Sequence, residues 1–146
     1  HARYHNNEVR PMKLTGGCYC GKVRYEAEGE PVLRGLCHCR ECQYISGGAA
    51  NVALGMPVSG FHYTKGQPRV FERTDLEQPV KRQFCSDCGT SLASLPPALA
   101  DIIVLKVGTL DDPASYGTPD IAMYCIEKQD FHYLPENMPQ FDRFPG

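Results

Sequence analysis

The chain has 146 residues, 42% of them hydrophobic and 22% charged, with a formal charge of −2 at pH 7 and a pI near 6.2. That is enough chain for one domain with a real core, and the near-neutral balance excludes a general nucleic-acid or membrane-surface binder. No apolar run approaches the ~20 residues needed to span a bilayer, and the polar first residues lack the apolar stretch of a signal peptide, which points to the cytoplasm.

The first residue is His1, and Met12 opens MKLTGGCYCGKVRYEAEG, which reads as the start of a folded domain. Residues 1–11 are therefore expected to be a processed or vector-derived leader, and residues 12–146 a single domain. Lys22–Glu28 alternates, with Val23, Tyr25 and Ala27 on one side, and predicts a half-buried strand. Short apolar runs predict strands at Val32–Leu36 and Asn51–Leu54. Arg69–Arg73 and Val80–Phe84 are further candidates. Ile102–Val107, rich in β-branched residues, predicts a central strand, and Met123–Ile126 another. Turns are expected at Gly29–Pro31, Gly47–Gly48, Gly55–Pro57, Gly66–Pro68, Pro96–Pro97 and Pro135. Helix signals are few: Asp111-Asp112-Pro113 could cap one or two turns, and a short turn could follow Cys42. The expected class is mainly β, a small zinc-stabilised domain with few short helices.

Seven of the eight cysteines fall into three groups: Cys18 and Cys20, then Cys37, Cys39 and Cys42, then Cys85 and Cys88. Clustered cysteines without a secretory signal point to metal rather than disulfides. Cys85-Ser86-Asp87-Cys88-Gly89 reads as a zinc knuckle, with Gly89 supplying the turn. In an extended Cys18-Tyr19-Cys20 both sulfurs face one side. Neither pair closes a tetrahedron alone, but together they make a closed four-thiolate site that ties residue 18 to residue 88. Separate redox or metal sites for the two pairs are the alternative. The Cys37-His38-Cys39-Arg40-Glu41-Cys42 triplet leaves a fourth position open. His38 would point away from its neighbouring ligands and is expected to pack or hydrogen-bond. Cys125 lies in an apolar segment and is expected to be buried and inert; as a ligand, either residue would close the second site. Lys22, Arg24, Arg34 and Arg40 could meet an acidic substrate, although isolated basic residues are usually solvated. His62 and His132 have no metal-type spacing.

The ordered motifs resemble the glutathione-dependent formaldehyde-activating enzyme (Gfa) family, which also includes the centromere protein V group. The likeness runs through Gly16-Gly17-Cys18-Tyr19-Cys20-Gly21, the Cys37–Cys42 motif, Ser46-Gly47, Arg82-Gln83-Phe84-Cys85-Ser86-Asp87-Cys88-Gly89-Thr90-Ser91-Leu92 and the closing Leu134-Pro135-Glu136-Asn137-Met138-Pro139-Gln140-Phe141. The resemblance implies a mainly β, tent-like fold. It implies a structural zinc on Cys18, Cys20, Cys85 and Cys88, and a second zinc on Cys37, Cys39 and Cys42 where glutathione and formaldehyde combine into S-hydroxymethylglutathione. The implied activity is that of a carbon–sulfur lyase, read in reverse. The chain departs from the family pattern at Gln43, where arginine is frequent, and near its end, where Phe131 stands in place of tryptophan.

The expected function is thus a zinc enzyme joining or separating a thiol, such as glutathione, and a small aldehyde, with no nucleic-acid or membrane partner. Zinc at the triplet would take the thiol as fourth ligand and lower its pKa. Three thiolates on Zn²⁺ already leave a charge of −1 and a fourth makes −2, so such a site activates a thiol better than it polarises a carbonyl. It also needs positive charge nearby, for which Arg40 is the nearest candidate in sequence. A non-catalytic zinc module with two structural metals is the rival reading, and a metal-free thiol redox sensor a third.

Overall fold

The computed structural model describes residues 10–145, so the expected leader lies outside the described residues except for Arg10 and Pro11. Among the described residues ten strands form two sheets. The smaller sheet is antiparallel, in the order β1 (Met12–Gly17), β2 (Arg24–Gly29), β5 (Phe61–Lys65). The larger has seven strands. From one edge these are β10 (Ile121–Met123), β3 (Leu33–Cys37), β4 (Asn51–Pro57) and β9 (Ile102–Lys106), then β8 (Ser91–Leu95), β7 (Lys81–Phe84) and β6 (Arg69–Phe71). Its pairs are antiparallel except β10 with β3. Among the described residues the one α-helix is α1, Arg40–Ile45; the remaining helical pieces are short 3₁₀ turns. The fold is mainly β, as expected.

The core lies where the small sheet covers one face of the large one. Leu14 pairs with Ala27 and Gly16 with Tyr25, and Leu14, Tyr25 and Ala27 pack in one cluster with Leu54, Met56, Ala93, Ile103 and Leu105. Leu54 and Leu105 are opposite each other, as are Leu105 and Ala93, so a continuous apolar row crosses three strands. Gly16 makes room for Tyr25. A Cβ there would sit 2.5 Å from the tyrosine oxygen and 2.4 Å from the Thr109 carbonyl, where the Tyr25 hydroxyl bonds Thr109 Oγ1 at 2.7 Å.

The opposite face of the large sheet is different. Residues directly opposite across antiparallel strands share a face, as do residues two apart. Cys37 is opposite Asn51 and Ala53 opposite Lys106; Val104 is opposite Ser94, and Ser94 opposite Arg82. Cys37, Asn51, Lys106, Ser94 and Arg82 therefore lie on one face, and Asn51, Ser94 and Lys106 are all buried.

The strands expected at Lys22–Glu28, Val32–Leu36, Arg69–Arg73, Val80–Phe84 and Ile102–Val107 are present within one to two residues. β4 runs past the expected end, because the Gly55 carbonyl accepts from Val32 N–H at 2.9 Å and Gly55 pairs with Val104. β10 ends at Met123, before the expected strand has properly begun. Tyr124 is left-handed at φ 54°, and Cys125–Glu127 is a 3₁₀ turn. The turn after Asp112 is 3₁₀, Pro113–Tyr116, and no side chain caps it. No helix among the described residues is long and apolar enough to cross a membrane.

Candidate metal centres

The two outer cysteine pairs meet. Cys18 and Cys20 lie in the turn between β1 and β2, not in extended chain as the spacing suggested. The turn is pinned by Cys18 N–H on the Val23 carbonyl at 3.0 Å and Gly21 N–H on the Cys18 carbonyl at 3.1 Å. Cys85 and Cys88 follow β7 in a turn closed by Gly89 N–H on the Cys85 carbonyl at 2.8 Å, with Gly89 at φ 77° as the knuckle requires. Thr90 joins the two turns: its Oγ1 accepts from Tyr19 N–H at 3.1 Å and lies 3.1 Å from Cys88 Sγ. That contact, with the backbone N–H donors around it, lowers the Cys88 thiol to about 5.

The four sulfurs of Cys18, Cys20, Cys85 and Cys88 all lie within 4.8 Å of one another. Cys18 and Cys20 are 3.6 Å apart, and Cys20 and Cys85 3.8 Å. A tetrahedron with Zn–S bonds of ~2.3 Å has edges of roughly 3.8 Å, so these sulfurs already match the edges of such a site. All eight cysteines are free thiols. Val23 N–H points at Cys18 Sγ at 3.3 Å, the kind of donor that stabilises thiolate.

The triplet also converges. Cys37 ends β3, Cys39 is the N-cap of α1, and Cys42 faces inward from the first turn; their sulfurs lie within 4.8 Å of one another. Cys39 has extended backbone, φ −62° and ψ 154°, and its Sγ accepts from Cys42 N–H at 3.3 Å. Three thiols this close cannot all ionise without a cation. Hydrogen bonds from Cys37 and Cys42, with help from the Arg82 charge, push the Cys39 thiol far down, and its partners are pushed up, Cys37 to about 11. The donor set thus fits a thiophilic metal ion such as zinc.

Neither expected alternative ligand belongs to the triplet among the described residues. His38 is buried; its Nδ1–H donates to the Met123 carbonyl at 3.3 Å and its ring meets the His132 ring edge-on at 5.1 Å. Cys125 sits on its 3₁₀ turn and is half-buried, so the expectation of a fully buried strand cysteine is corrected.

The rest of the site is fastened by polar contacts to the C-terminal segment. Arg40 N–H, at the start of α1, donates to Glu127 Oε1 at 2.6 Å. Gln43 is buried, and its Nε2 donates to the His38 carbonyl at 2.8 Å and the Glu127 carbonyl at 3.0 Å. The departure from the family pattern at this position therefore serves to hold α1 against the tail. Past the helix, His132 Nε2–H donates to the Gly48 carbonyl at 2.7 Å, while its Nδ1 accepts from Gln129 N–H at 3.0 Å. Phe131 leans on the His132 ring at 4.6 Å and borders an open cleft of 530 Å³ beside Arg40, Gln43, Tyr44 and Gln129.

The Arg40 side chain is engaged on α1 itself. The Arg40 guanidinium donates to Gln43 Oε1 and lies 5.0 Å over the Tyr44 ring. The cations that act on the triplet sulfurs are Arg82, ion-paired with Glu41, and Lys106. Burial lowers Lys106 to about 8 against the pull of Cys42, Cys37 and Cys39. Sequence reasoning passed over Lys106; a lysine inside Ile102-Ile103-Val104-Leu105-Lys106-Val107 was the available signal. Of the other basic residues singled out, Arg24 pairs with Asp111, Lys22 with Asp87 at 3.6 Å, and Arg34 is buried with its Nε–H on the Tyr116 carbonyl at 2.9 Å. His62 lies 3.5 Å from Glu26, away from both cysteine groups.

The chain is similar to known proteins over most of its length. A family model described as glutathione-dependent formaldehyde-activating enzyme matches residues 13–127, which include all seven clustered cysteines. A Halomonas elongata protein called "Putative glutathione-dependent formaldehyde-activating enzyme" is 30% identical over 99 residues, covering 63% of this chain and 62% of that protein. The chain thus matches somewhat under two thirds of that relative's length. A crystal structure of a Rhodobacter sphaeroides protein superposes with a TM-score of 0.56 at 19% identity, covering 73% of this chain and 97% of the other, and shares the fold. With both cysteine groups inside the matched span, the chain belongs to the glutathione-dependent formaldehyde-activating enzyme family.

Proposed function

We propose that the protein is a zinc-dependent enzyme of carbon–sulfur lyase type that joins or separates a thiol and a small aldehyde, with glutathione and formaldehyde as the first pair to test. Cys18, Cys20, Cys85 and Cys88 would hold a structural zinc, and Cys37, Cys39 and Cys42 a second. The observation that carries the reading is the inequality of the two groups: one has four sulfurs, the other three and no fourth side-chain ligand among the described residues. Zinc at the triplet would supply an open coordination position and thiolate at neutral pH.

The chain's own residues do the rest. Cys42 N–H donates to Cys39 Sγ and fixes that ligand at the helix start. Gln43 and Glu127 hold α1, so the spacing of Cys39 and Cys42 relative to Cys37 does not depend on the ion alone. Arg82 and Lys106 bring the positive charge that an all-thiolate centre lacks. Arg40, beside the 530 Å³ cleft, keeps guanidinium N–H groups beyond the one given to Gln43, which suit the carboxylates of a peptide-like thiol.

Exchange spectroscopy by NMR on the zinc-loaded protein with glutathione and formaldehyde tests this. Faster interconversion of free glutathione and adduct than in the protein-free mixture, lost in Cys39→Ser, is the expected result. Exchange rates equal to the protein-free control for glutathione and for other thiol–aldehyde pairs would overturn the enzyme and leave the non-catalytic zinc module.

A further inference from the structure

Among the described residues Lys106 is the one buried cation on the polar face of the large sheet. It is 9% exposed, at the end of a strand that otherwise reads Ile102-Ile103-Val104-Leu105. Its Nζ is sealed from solvent and has no hydrogen-bond partner among the described residues. An ammonium carries three N–H donors and no acceptor, and burying one unpaired is costly. No carboxylate among the described residues pairs with it, whereas Arg82 on the same face is paired with Glu41. The triplet sulfurs act on Lys106 electrostatically, yet none accepts a hydrogen bond from it. An ammonium on the sheet face that carries Cys37, and bonded to none of the sulfurs, leaves its donors for an atom that arrives from outside the chain.

We propose that Lys106 is an anion-binding residue of the Cys37/Cys39/Cys42 site, and that this site takes its external ligand as an anion, a thiolate or an oxyanion, hydrogen-bonded to Lys106 Nζ. The proposal rests on the reading of the triplet as an open metal site and adds what that site selects. Register supports the placement. Cys37 is opposite Asn51, two residues from Ala53, and Ala53 is opposite Lys106, so ligand and lysine share one face of three adjacent strands. Charge supports it as well. A divalent ion with three thiolates and a bound thiolate would carry −2; Arg82 shares its charge with Glu41, whereas Lys106 has no acidic partner among the described residues. The chemistry that follows is selective: anionic ligands gain from Lys106, and neutral donors do not.

The test uses protein loaded with cobalt(II), whose visible spectrum reports the fourth ligand at the triplet. Glutathione and, separately, the neutral donor imidazole are titrated into wild type and Lys106→Met, with metal content and melting temperature measured on each. The expected result is a variant that keeps both metals and melts no lower than wild type, since an unpaired buried charge has gone. It should bind glutathione at least about tenfold more weakly, the loss of one hydrogen bond to a charged group, and imidazole as wild type does. Lys106→Gln, which keeps an N–H donor without the charge, should fall between. Equal glutathione affinity in wild type and Lys106→Met overturns the proposal, as does an equal loss for both ligands or a loss of metal in place of ligand. If neither variant folds, the ammonium serves the fold and the proposal also fails. Wild type that binds no thiol sinks this proposal together with the proposed function. Thiol binding that depends on Lys106 without accelerated exchange sinks only the enzyme.

Discussion

Cys20 Sγ and Cys85 Sγ lie 3.8 Å apart although 65 residues separate them in the chain. The contact joins the β1–β2 turn of the small sheet to the knuckle after β7 of the large one, at one end of the apolar core where Cys18 and Cys85 are themselves buried. Closing a loop of that length is entropically expensive for a chain with short strands and one six-residue helix. A metal ion on the four sulfurs would carry much of that cost.

Cys88→Ser is accordingly expected to lose the fold, because binding energy at a structural zinc site, about 10–16 kcal/mol in small zinc peptides, is also folding energy. Cys39→Ser should stay folded with one metal and no activity. Thermal melts and circular dichroism separate the two. Equal unfolding by both substitutions would make the middle metal structural.

Gly16→Ala tests the packing of the small sheet. The added carbon would fall 2.4 Å from the Thr109 carbonyl and 2.5 Å from the hydroxyl of the buried Tyr25, whose ring is held in the core and bonded to Thr109 Oγ1. A loss of about 1–3 kcal/mol is expected from overpacking, read by denaturant titration. Gly108→Ala, with nothing within 4 Å, is the control and should change little.

Much of this was legible in the sequence, and the gaps have physical causes. The four-plus-three division of cysteines follows from spacing alone, since ligands one to three residues apart can turn onto one ion. Ile102–Lys106 was plain because β-branched residues crowd it. β8 was not, because Ser91-Leu92-Ala93-Ser94-Leu95 holds no β-branched or aromatic residue, and packing in the sheet makes it a strand. β5 was missed although Phe61 and Tyr63 alternate and meet edge-on at 5.0 Å against the core. Lys106 stood out as a lysine in an apolar run, but its place on the face of the triplet was not legible, because the register that puts it there is a long-range pairing, which local pattern does not encode.

The loop after α1 should depend on His132. Its Nε2–H holds the Gly48 carbonyl and its Nδ1 accepts from Gln129 N–H, so His132→Phe leaves two polar backbone groups unmatched. The expected cost is about 1–3 kcal/mol, with faster hydrogen exchange of amides in Arg40–Ile45 and the Gly47–Gly48 turn. Unchanged protection there would show that the tail does not support the helix.

Acid should weaken the joint between β1, β2 and the loop after β9. Asp111 accepts from Arg24 and, at 2.7 Å, from Thr15 Oγ1, and these hold its carboxyl at about 2 against an ordinary 3.8. A depressed carboxylate contributes stability that is fully present above about 3.8 and is lost as pH falls toward about 2. Both side chains are partly solvent-exposed, so the contribution is under about 1 kcal/mol. Melting temperature against pH should show a shallower acid limb in Asp111→Asn than in wild type; identical limbs would contradict the assignment.

The central claim is that one cysteine group is closed and the other open, and native mass spectrometry during a chelator titration tests it most directly. Protein purified without chelator should carry two zinc ions, one leaving early from Cys37, Cys39 and Cys42 and one held by Cys18, Cys20, Cys85 and Cys88 until the chain unfolds. A single zinc per chain, or both ions leaving at one chelator concentration, would contradict the account.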